Sequence, residues 1–238
     1  SPGEIGEVNG MIQHMLDEIN HLIKQIYHEE NVKRELQLHS LQNQITPHFI
    51  YNTLSRLKWM AAIQQADSLA AALGSFSDIL SYCMKSTDYF IELQEEITFL
   101  TNYIKIMNLR MLNEVQVHFE IPEALKKTKI LRFLIQPIIE NVFLHAFQGV
   151  EHECLLAITA KSEKSCITFY IEDNGIGMSS EQIAHLFQTE TPSESHTHSS
   201  IALNNVQQRI QYHYGSAYGI TVQSTLGKNT IVVIQIPY

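Results

Sequence analysis

The sequence of 238 residues is poor in cysteine and in positive charge, and it contains no long apolar run. Its three cysteines, Cys83, Cys154 and Cys166, show no C-x-x-C spacing, which favours small buried side chains in a reducing compartment over a disulfide framework or a zinc site. A net charge of −9 argues against a basic footprint, so direct nucleic-acid binding is not expected. No stretch approaches the roughly 20 apolar residues of a membrane helix, so we expect this chain itself to be soluble.

The first part of the chain carries a heptad pattern. Apolar residues follow one another at spacings of three and four: Ile5, Val8, Ile12, Met15, Ile19, Leu22 and Ile26. This stripe is typical of a coiled coil, and we expect two chains to pair in parallel along it, although a single amphipathic helix packed on its own domain would show a similar pattern. Charged residues at positions 29–35 interrupt the stripe, which resumes in a different phase at Leu38, Leu41 and Ile45.

A proline followed by a histidine stands where this polar helix meets an apolar one. Pro47 lacks an amide hydrogen, so we expect it to kink or interrupt the helix just before His48 and to turn the imidazole outward. Asn52 lies four residues after His48 and would share its helix face. From these residues alone two interpretations stay open: a reactive histidine with a helper amide, or a surface histidine after a helix kink.

The next segments predict a helical hairpin. Residues 54–64 continue as a helix and residues 66–84 form a second one. Two such hairpins from two chains would make a four-helix bundle with His48 on its outer face. Residues 87–93 break the pattern, and residues 95–111 form a third helix that connects to a second domain.

The hydrophobic period changes after residue 113. Residues 115–121 alternate between apolar and polar and stop at Pro122, which predicts a strand. The later elements are predicted as a helix over 130–147 kinked at Pro137, strands over 155–160 and 166–172, a helix over 201–214 ended by Gly215, and a hairpin of strands 218–224 and 230–236. This part of the chain mixes helices with strands, and short turns connect adjacent strands. The pattern indicates an α+β sandwich, with helices on one face of a mostly antiparallel sheet.

Three polar segments of this second domain point to chemistry. Residues 136–145 place a glutamate, an asparagine and a histidine in an apolar helix, and an oxygen of such side chains suits Mg²⁺. Residues 173–178 follow a strand end and contain an aspartate and two glycines. The glycines let the backbone approach a ligand closely, and the aspartate carboxylate can accept a hydrogen bond from an amine of that ligand. Residues 199–206 open a helix, whose free amides favour an anion.

Taken in order, these motifs resemble the YesM/LytS-type sensor histidine kinases, whose catalytic domain belongs to the Bergerat group of ATPases with gyrase and MutL. Residues 41–54 resemble the H box of that family, residues 136–145 its N box, and residues 173–178 its G1 box. Asn205 and Val206, together with Arg209 and Ile210, look like the remainder of its G2 box, and residues 4–8 resemble the start of the second helix of a HAMP module.

The resemblance implies a role for each matched residue. His48 would take the γ-phosphoryl group of ATP on an imidazole nitrogen, and Asn52 would position water for dephosphorylation. Asn141 would bind Mg²⁺, and Glu140 would order the metal shell or a water. The nucleotide site would be completed by Asp173, which accepts from the adenine amino group, by Gly175 and Gly177, which line the base, and by His145, Leu203 and Asn205.

The resemblance also implies the organisation of the chain and its partners. Residues 1–35 would hold the end of a HAMP module and a signalling coiled coil, residues 36–112 the dimerisation and phosphoacceptor helices, and residues 113–238 the ATP-binding domain. We expect a homodimer through the N-terminal helices that passes the phosphoryl group to the receiver domain of a response regulator. Segments upstream of this chain would anchor the protein on the cytoplasmic side of the cell membrane.

The sequence departs from the family pattern where phosphates would bind. The N box of the family has Lys, His and Gly where this chain has Leu144, His145 and Ala146, and Ser200 and Ala202 replace glycines of the G2 box. The loss of one charge-assisted phosphate contact costs about 1.5 to 3 kcal/mol. A second hypothesis therefore stays open: a degenerate kinase with weak nucleotide binding that acts as a conformational signalling scaffold or as a phosphatase.

Overall fold

The computed structural model describes residues 47–84, 88–111, 114–163, 165–186 and 198–238. The chain divides into two compact units, Ser1–Leu54 and Ser55–Tyr238, of which the first is described from residue 47 onward. The predicted coiled coil and the HAMP-like segment lie outside the described residues, and the domain boundaries expected near residues 35 and 112 stay predictions. No helix in the described ranges is long and apolar enough to cross a bilayer.

Two helices in succession confirm the predicted helical hairpin. Helix α1 spans Pro47–Ile63 and helix α2 spans Asp67–Met84. Gln65 between them adopts a left-handed conformation with φ of 59°, and the next amide donates to a carbonyl in the last turn of α1 at 2.9 Å. Pro47 is the first residue of α1, so a kink before it would fall outside the described residues.

Helix α3 spans Leu93–Asn108, close to its predicted bounds. Residues at spacings of three and four form one buried stripe on it: Leu93, Glu96, Phe99, Leu100, Ile104 and Met107. At its end, the Asn108 amide group donates to the Val115 carbonyl at 3.0 Å and accepts from the Val115 amide at 3.1 Å. This double contact fixes where the first strand of the main sheet begins.

Five strands form the main sheet: Val115–Glu120 (β2), Cys154–Glu163 (β4), Cys166–Asp173 (β5), Gly219–Thr225 (β6) and Asn229–Pro237 (β7). Their order in the sheet is β2-β4-β5-β7-β6. Strands β2 and β4 pair in parallel and the other pairs are antiparallel, which confirms the predicted mostly antiparallel sheet. Along β5, Ile167, Phe169 and Ile171 are buried, so one sheet face holds the core.

The predicted helix over 130–147 is wrong in its first part. Lys129–Leu131 form a short strand, β3, which pairs with Phe90–Glu92 (β1) in a separate two-stranded sheet. Strand β1 lies in the segment 87–93, where the sequence predicts only a break. Helix α4 spans Gln136–Asn141, and a π-helical turn over Val142–Ala146 continues it. Pro137 therefore lies in the first turn of α4, where its missing amide costs nothing, and does not kink the helix.

The last two helices flank the segment 187–197. Helix α5 spans Ser180–His185 and is absent from the sequence prediction, although Ser179 and Gln182 form a capping box at its start. Helix α6 spans His198–Tyr214 and begins slightly before its predicted first residue. Buried side chains of α4, of its π turn and of α6 join those of the sheet in one core: Ile138, Ile139, Val142, Leu203, Val206, Ile210, Ile158, Phe169 and Ile234.

Candidate functional site

A buried carboxylate stands at the end of strand β5. Asp173 is 3% exposed, and its Oδ1 atom accepts a hydrogen bond from the Gly175 amide at 2.9 Å. Burial, with a smaller contribution from the charge of Glu172, raises the pKa of Asp173 from 3.8 to about 6, while the Gly175 hydrogen bond lowers it. Within the described part of the chain, no hydrogen bond occupies the Oδ2 atom. At neutral pH this oxygen is charged and suited to an N–H donor of a ligand.

The loop after Asp173 is hydrogen-bonded to the end of the α4 segment, by which we mean helix α4 together with its π turn, residues 136–146. A Cβ atom on Gly175 would lie 2.2 Å from the carbonyl oxygen of Ala146, so only glycine fits this close approach. The amide of Ile176 donates to the same Ala146 oxygen at 2.9 Å. The carboxylate and the polar residues of the α4 segment are thereby held on neighbouring elements.

The same loop is fastened on its other side to the hairpin of β6 and β7. Gly177 has φ of 65°, and a Cβ atom there would lie 2.2 Å from the Thr225 carbonyl oxygen. The Gly227 amide donates to the Ile176 carbonyl at 2.7 Å, and the Met178 amide donates to the Ser224 hydroxyl at 2.8 Å. Both glycines of the motif thus pack against the chain itself, and their contact with a bound base stays a prediction.

Two residues with hydroxyl groups, Thr230 on strand β7 and Ser224 on strand β6, lie in the same sheet as Asp173 and were not predicted as site residues from the sequence. Thr230 lies opposite Asp173 in the register of β5 and β7, is 6% exposed, and has its hydroxyl 2.9 Å from that of Ser224. Because side chains of directly paired residues point to the same sheet face, the Thr230 hydroxyl belongs to the surroundings of the carboxylate. Sequence periodicity predicts strands β5 and β7, but it does not fix which residues of the two strands lie opposite each other. The pairing of Thr230 with Asp173 could therefore not be predicted from periodicity alone.

Asn174 holds the loop to strand β4 and was also missed. Its Oδ1 atom accepts from the Leu155 amide at 2.7 Å, and its Nδ2 atom donates to the Glu153 carbonyl at 2.8 Å. The side chain thus replaces a backbone partner at the strand end, as asparagine often does in turns. This contact fixes the direction in which the loop leaves β5.

The α4 segment contributes three predicted site residues. Glu140, Asn141 and His145 are half-buried, whereas Ile138, Ile139, Val142 and Phe143 of the same segment are buried in the core. The Nε2 atom of His145 is buried and makes no hydrogen bond within the described residues. Leu144, at the position where the resemblance predicts a lysine, is 36% exposed. A π turn shifts the side chains that follow it around the helix axis, a feature often found at functional sites.

The remaining predicted site residues lie on α6 and α1. Leu203 is 4% exposed and belongs to the core, whereas Asn205 is exposed on the same helix. His48 and Asn52 lie one helical turn apart in α1, and Asn52 is exposed. Contact of any of these residues with a nucleotide or a phosphoryl group stays a prediction.

The donor set decides which cofactor suits this site. No group of three or more His, Cys, Asp or Glu side chains in the described residues is arranged to hold a metal ion. A Mg²⁺ ion bound by a single amide oxygen takes its other ligands from phosphates and water, so the α4 segment fits a metal that arrives with a nucleotide. The carboxylate oxygen of Asp173 that carries no hydrogen bond within the described residues suits an N–H donor of a ligand, and its contact with the amino group of adenine stays a prediction.

Two family models match the chain in succession. One described as "Histidine kinase" matches residues 36–115, and one described as "Histidine kinase-, DNA gyrase B-, and HSP90-like ATPase" matches residues 126–238. Sensor histidine kinase YesM of Bacillus subtilis (strain 168) is 29% identical over 234 residues, 98% of this chain and 39% of that protein. Sensor protein kinase HptS of Staphylococcus aureus (strain USA300) is 26% identical over 235 residues, 98% of this chain and 44% of that protein. The chain thus spans about two fifths of the length of these curated relatives.

Solved structures give similar matches. The histidine kinase domain of the blue-light activated histidine kinase of Erythrobacter litoralis EL346 matches with a TM-score of 0.47 and 15% identity, over 80% of this chain and 95% of that chain. The catalytic domain of histidine kinase ThkA matches with a TM-score of 0.43 and 15% identity, over 62% of this chain and 94% of that chain.

Proposed function

Because the chain belongs to the sensor histidine kinases, we propose that it phosphorylates His48 from ATP and passes the phosphoryl group to an aspartate in the receiver domain of a response regulator. In the first step, the lone pair of a His48 ring nitrogen attacks the γ-phosphorus, and the bond to the bridging oxygen breaks with ADP as leaving group. In the second step, the aspartate carboxylate displaces the imidazole. Both steps ask mainly for in-line positioning and charge neutralisation.

The buried Asp173 carboxylate is the observation that carries this proposal. Its Oδ1 atom is used by the Gly175 amide, while its Oδ2 atom is available to the amino group of adenine. A pKa of about 6 keeps the group ionised at neutral pH, and an N–H donor from a ligand would stabilise that charge. A buried charge that is only half satisfied by the protein is unfavourable without a ligand, which is typical of a binding site.

The metal and phosphate end of the nucleotide would lie along the α4 segment. Asn141 would give its amide oxygen to Mg²⁺, with Glu140 ordering a water of the metal shell. The Gly175 loop is bonded to the end of the same segment, so adenine and metal would be bound by connected elements. Magnesium, when bound with the phosphates, neutralises the charge that develops during transfer.

A homodimer is part of the proposal, because the hairpin exposes many large apolar side chains. In the second compact unit these are Leu57, Trp59, Met60, Ile63, Leu69 and Phe76. Trp59 is 72% exposed and Ile63 is 77% exposed, and large apolar side chains exposed in such number on neighbouring helices are typical of an interface. We propose that the hairpin of a second copy covers it in a four-helix bundle, and that upstream segments of the full-length protein attach this dimer to the membrane.

Phosphorylation with γ-labelled ATP and Mg²⁺ tests the proposal. We expect an acid-labile, base-stable label on the wild type that is lost in His48→Gln. His118→Gln, which removes an exposed histidine of strand β2, is the matched control and should keep the label. A wild-type protein without such a label, or a label that survives His48→Gln, would contradict the kinase proposal.

A degenerate kinase is the second candidate, and the exposed Leu144 favours it. An alkyl side chain at this position of the α4 segment cannot replace the cation that the resemblance predicts there. Such a protein would signal as a conformational scaffold or as a phosphatase that uses Asn52. Unlabelled His48 together with measurable dephosphorylation of a phosphorylated receiver domain would favour this candidate over the kinase.

A further inference from the structure

Phe133 adopts an unusual backbone conformation directly before helix α4. Its φ is 55°, in the left-handed region that a bulky side chain rarely adopts. Such a conformation persists only where the surroundings hold it, and it relaxes when they do not. The contacts of Phe133 therefore hold its backbone in a conformation that is unfavourable by itself.

Helix α3 binds the amide side of Phe133 through Glu96, and the end of helix α2 contacts the same carboxylate. Glu96, which is 0% exposed, accepts from the Phe133 amide with Oε2 at 3.0 Å and from the Ile135 amide with Oε1 at 3.2 Å. The Tyr82 hydroxyl, near the end of α2, donates to the same Oε2 atom at 2.9 Å. The Arg132 guanidinium donates to the Tyr82 carbonyl and lies over the Tyr82 ring at 4.7 Å. The end of α2 and the start of the α4 segment thus share one carboxylate.

Helix α6 holds the carbonyl side of the same turn. The Nη1 atom of Arg209 donates to the Phe133 carbonyl at 3.2 Å, and its Nη2 atom donates to the Arg132 carbonyl. A planar guanidinium can reach two adjacent carbonyls at once, which fixes the peptide between them. Among the described residues, the Tyr82 hydroxyl and the Arg209 guanidinium share no hydrogen bond. The Phe133 amide donates to Glu96, which also accepts from Tyr82, and the Phe133 carbonyl accepts from Arg209.

We propose that the turn of Arg132 and Phe133 couples helix α2 to helix α6, with Tyr82, Glu96 and Arg209 as positioning residues for phosphoryl transfer. A displacement of α2 would withdraw the Tyr82 hydroxyl, loosen Glu96 and release Phe133 from its left-handed state, so that Arg209 loses its two acceptors. The coupling is reciprocal, because any ligand that moves α6 must act back on α2 through the same turn. The inference rests on the proposed function, since it assigns the two helices to the phosphoacceptor hairpin and to the nucleotide site.

Hydrogen exchange of the full chain tests the coupling without any ligand. Tyr82→Phe keeps the ring, which stacks on Phe99 with centroids 4.5 Å apart, and removes only the hydroxyl. We expect amides in the second half of α6 to exchange about threefold to tenfold faster, the equivalent of one net hydrogen bond. Tyr170→Phe, on the opposite face of the sheet, is the matched control and should leave α6 unchanged. Faster exchange confined to α2 and α3 would overturn the proposal.

Nucleotide gives the test in the opposite direction. Mg²⁺ with ADP should slow amide exchange in the last turns of α2 in the wild type. Arg209→Lys, measured at a nucleotide concentration that saturates this variant, should abolish the distant effect, because lysine cannot serve two carbonyls as a fork. Bound nucleotide without any change in α2 would overturn the proposal. A wild type that binds no nucleotide would contradict the proposed function, and the Tyr82→Phe comparison would then decide the coupling by itself. If Tyr82→Phe does not fold, Glu96→Gln replaces it.

Discussion

The carboxyl group of Asp173 should make the protein less stable as the pH rises, and Asp173→Asn should remove this dependence. The pKa of Asp173 is about 6 in the folded chain and returns to about 3.8 when the chain unfolds, because burial raises it. Between these two values the native state keeps a proton that the unfolded state has lost. Stability contributed by the protonated group is therefore fully present below the lower pKa and is lost as the pH rises to the higher one.

The magnitude follows from the two pKa values. At about 1.36 kcal/mol for each pH unit, the interval from 3.8 to about 6 corresponds to about 3 kcal/mol of stability lost by neutral pH. Part of this titration lies at low pH, so a measurement from roughly pH 4.5 to pH 7.5 should detect about 2 kcal/mol of it. Asparagine does not titrate, so the difference between the two proteins isolates this one group.

Urea unfolding followed by circular dichroism gives the free energy of unfolding of both proteins at each pH. The stability of the wild type relative to Asp173→Asn should fall by about 2 kcal/mol across this range and level off above about pH 7. A difference that stays constant within about 0.5 kcal/mol would refute the reasoning, since Asp173 would then have an ordinary pKa in the folded chain.

The same substitution should abolish nucleotide binding. An asparagine amide presents a donor where the adenine amino group needs an acceptor, so a favourable contact becomes a repulsive one. In the wild type, nucleotide affinity should rise with pH through the same interval, because the ligand donor favours the ionised carboxylate. Fluorescence titration with a labelled ADP measures both effects, and unchanged binding by Asp173→Asn would show that adenine binds elsewhere.

Two further predictions concern stability and use urea unfolding as the assay. Gly175→Ala should cost about 2 to 4 kcal/mol, because the added Cβ atom would lie 2.2 Å from a backbone oxygen. Gly74→Ala in helix α2 should stabilise the protein by about 0.5 to 1 kcal/mol, since the added Cβ atom meets only the flexible end of Lys58. Equal effects of the two substitutions would contradict the close approach of Gly175 to that oxygen. Glu96→Ala should cost about 3 to 5 kcal/mol by leaving the Phe133 and Ile135 amides unpaired, whereas Glu95→Ala, at the exposed neighbour, should cost about 1 kcal/mol or less. A small effect of Glu96→Ala would show that water satisfies those amides.

Much of the fold could be predicted because its strands and helices have a clear local period. The alternation over β2, the breaker Pro122 and the closing hairpin of β6 and β7 all appear in the structure where they were expected. The segment 129–135 was mispredicted, because strand β3 is three residues long and its partner β1 lies far away in the sequence. A strand that short has no period to detect, and an apolar run of this kind favours a helix by composition alone.

The site was predictable in its residue types and not in its contacts. Asp173 lies at a strand end before two glycines, as the sequence predicts, whereas its burial depends on the sheet around it. The function of Gly175 and Gly177 as packing positions depends on the carbonyls of Ala146 and Thr225, which come from distant parts of the chain. The pairing of Thr230 with Asp173 likewise depends on a strand order that local periodicity does not contain.

Several unfavourable features are concentrated along a connected part of the molecule. The raised pKa of Asp173 and the left-handed Phe133 are unfavourable for the folded chain, and the burial of Glu96 is unfavourable except for the hydrogen bonds that offset it. Each of the three is held by contacts from separate elements. If such unfavourable features were placed at random, they would be spread over the whole chain. These three instead lie on the segments that run from the helical hairpin to the end of β5. Stabilising substitutions there should therefore reduce phosphorylation of His48, while a stabilising change outside this region, such as Gly74→Ala, should leave it intact.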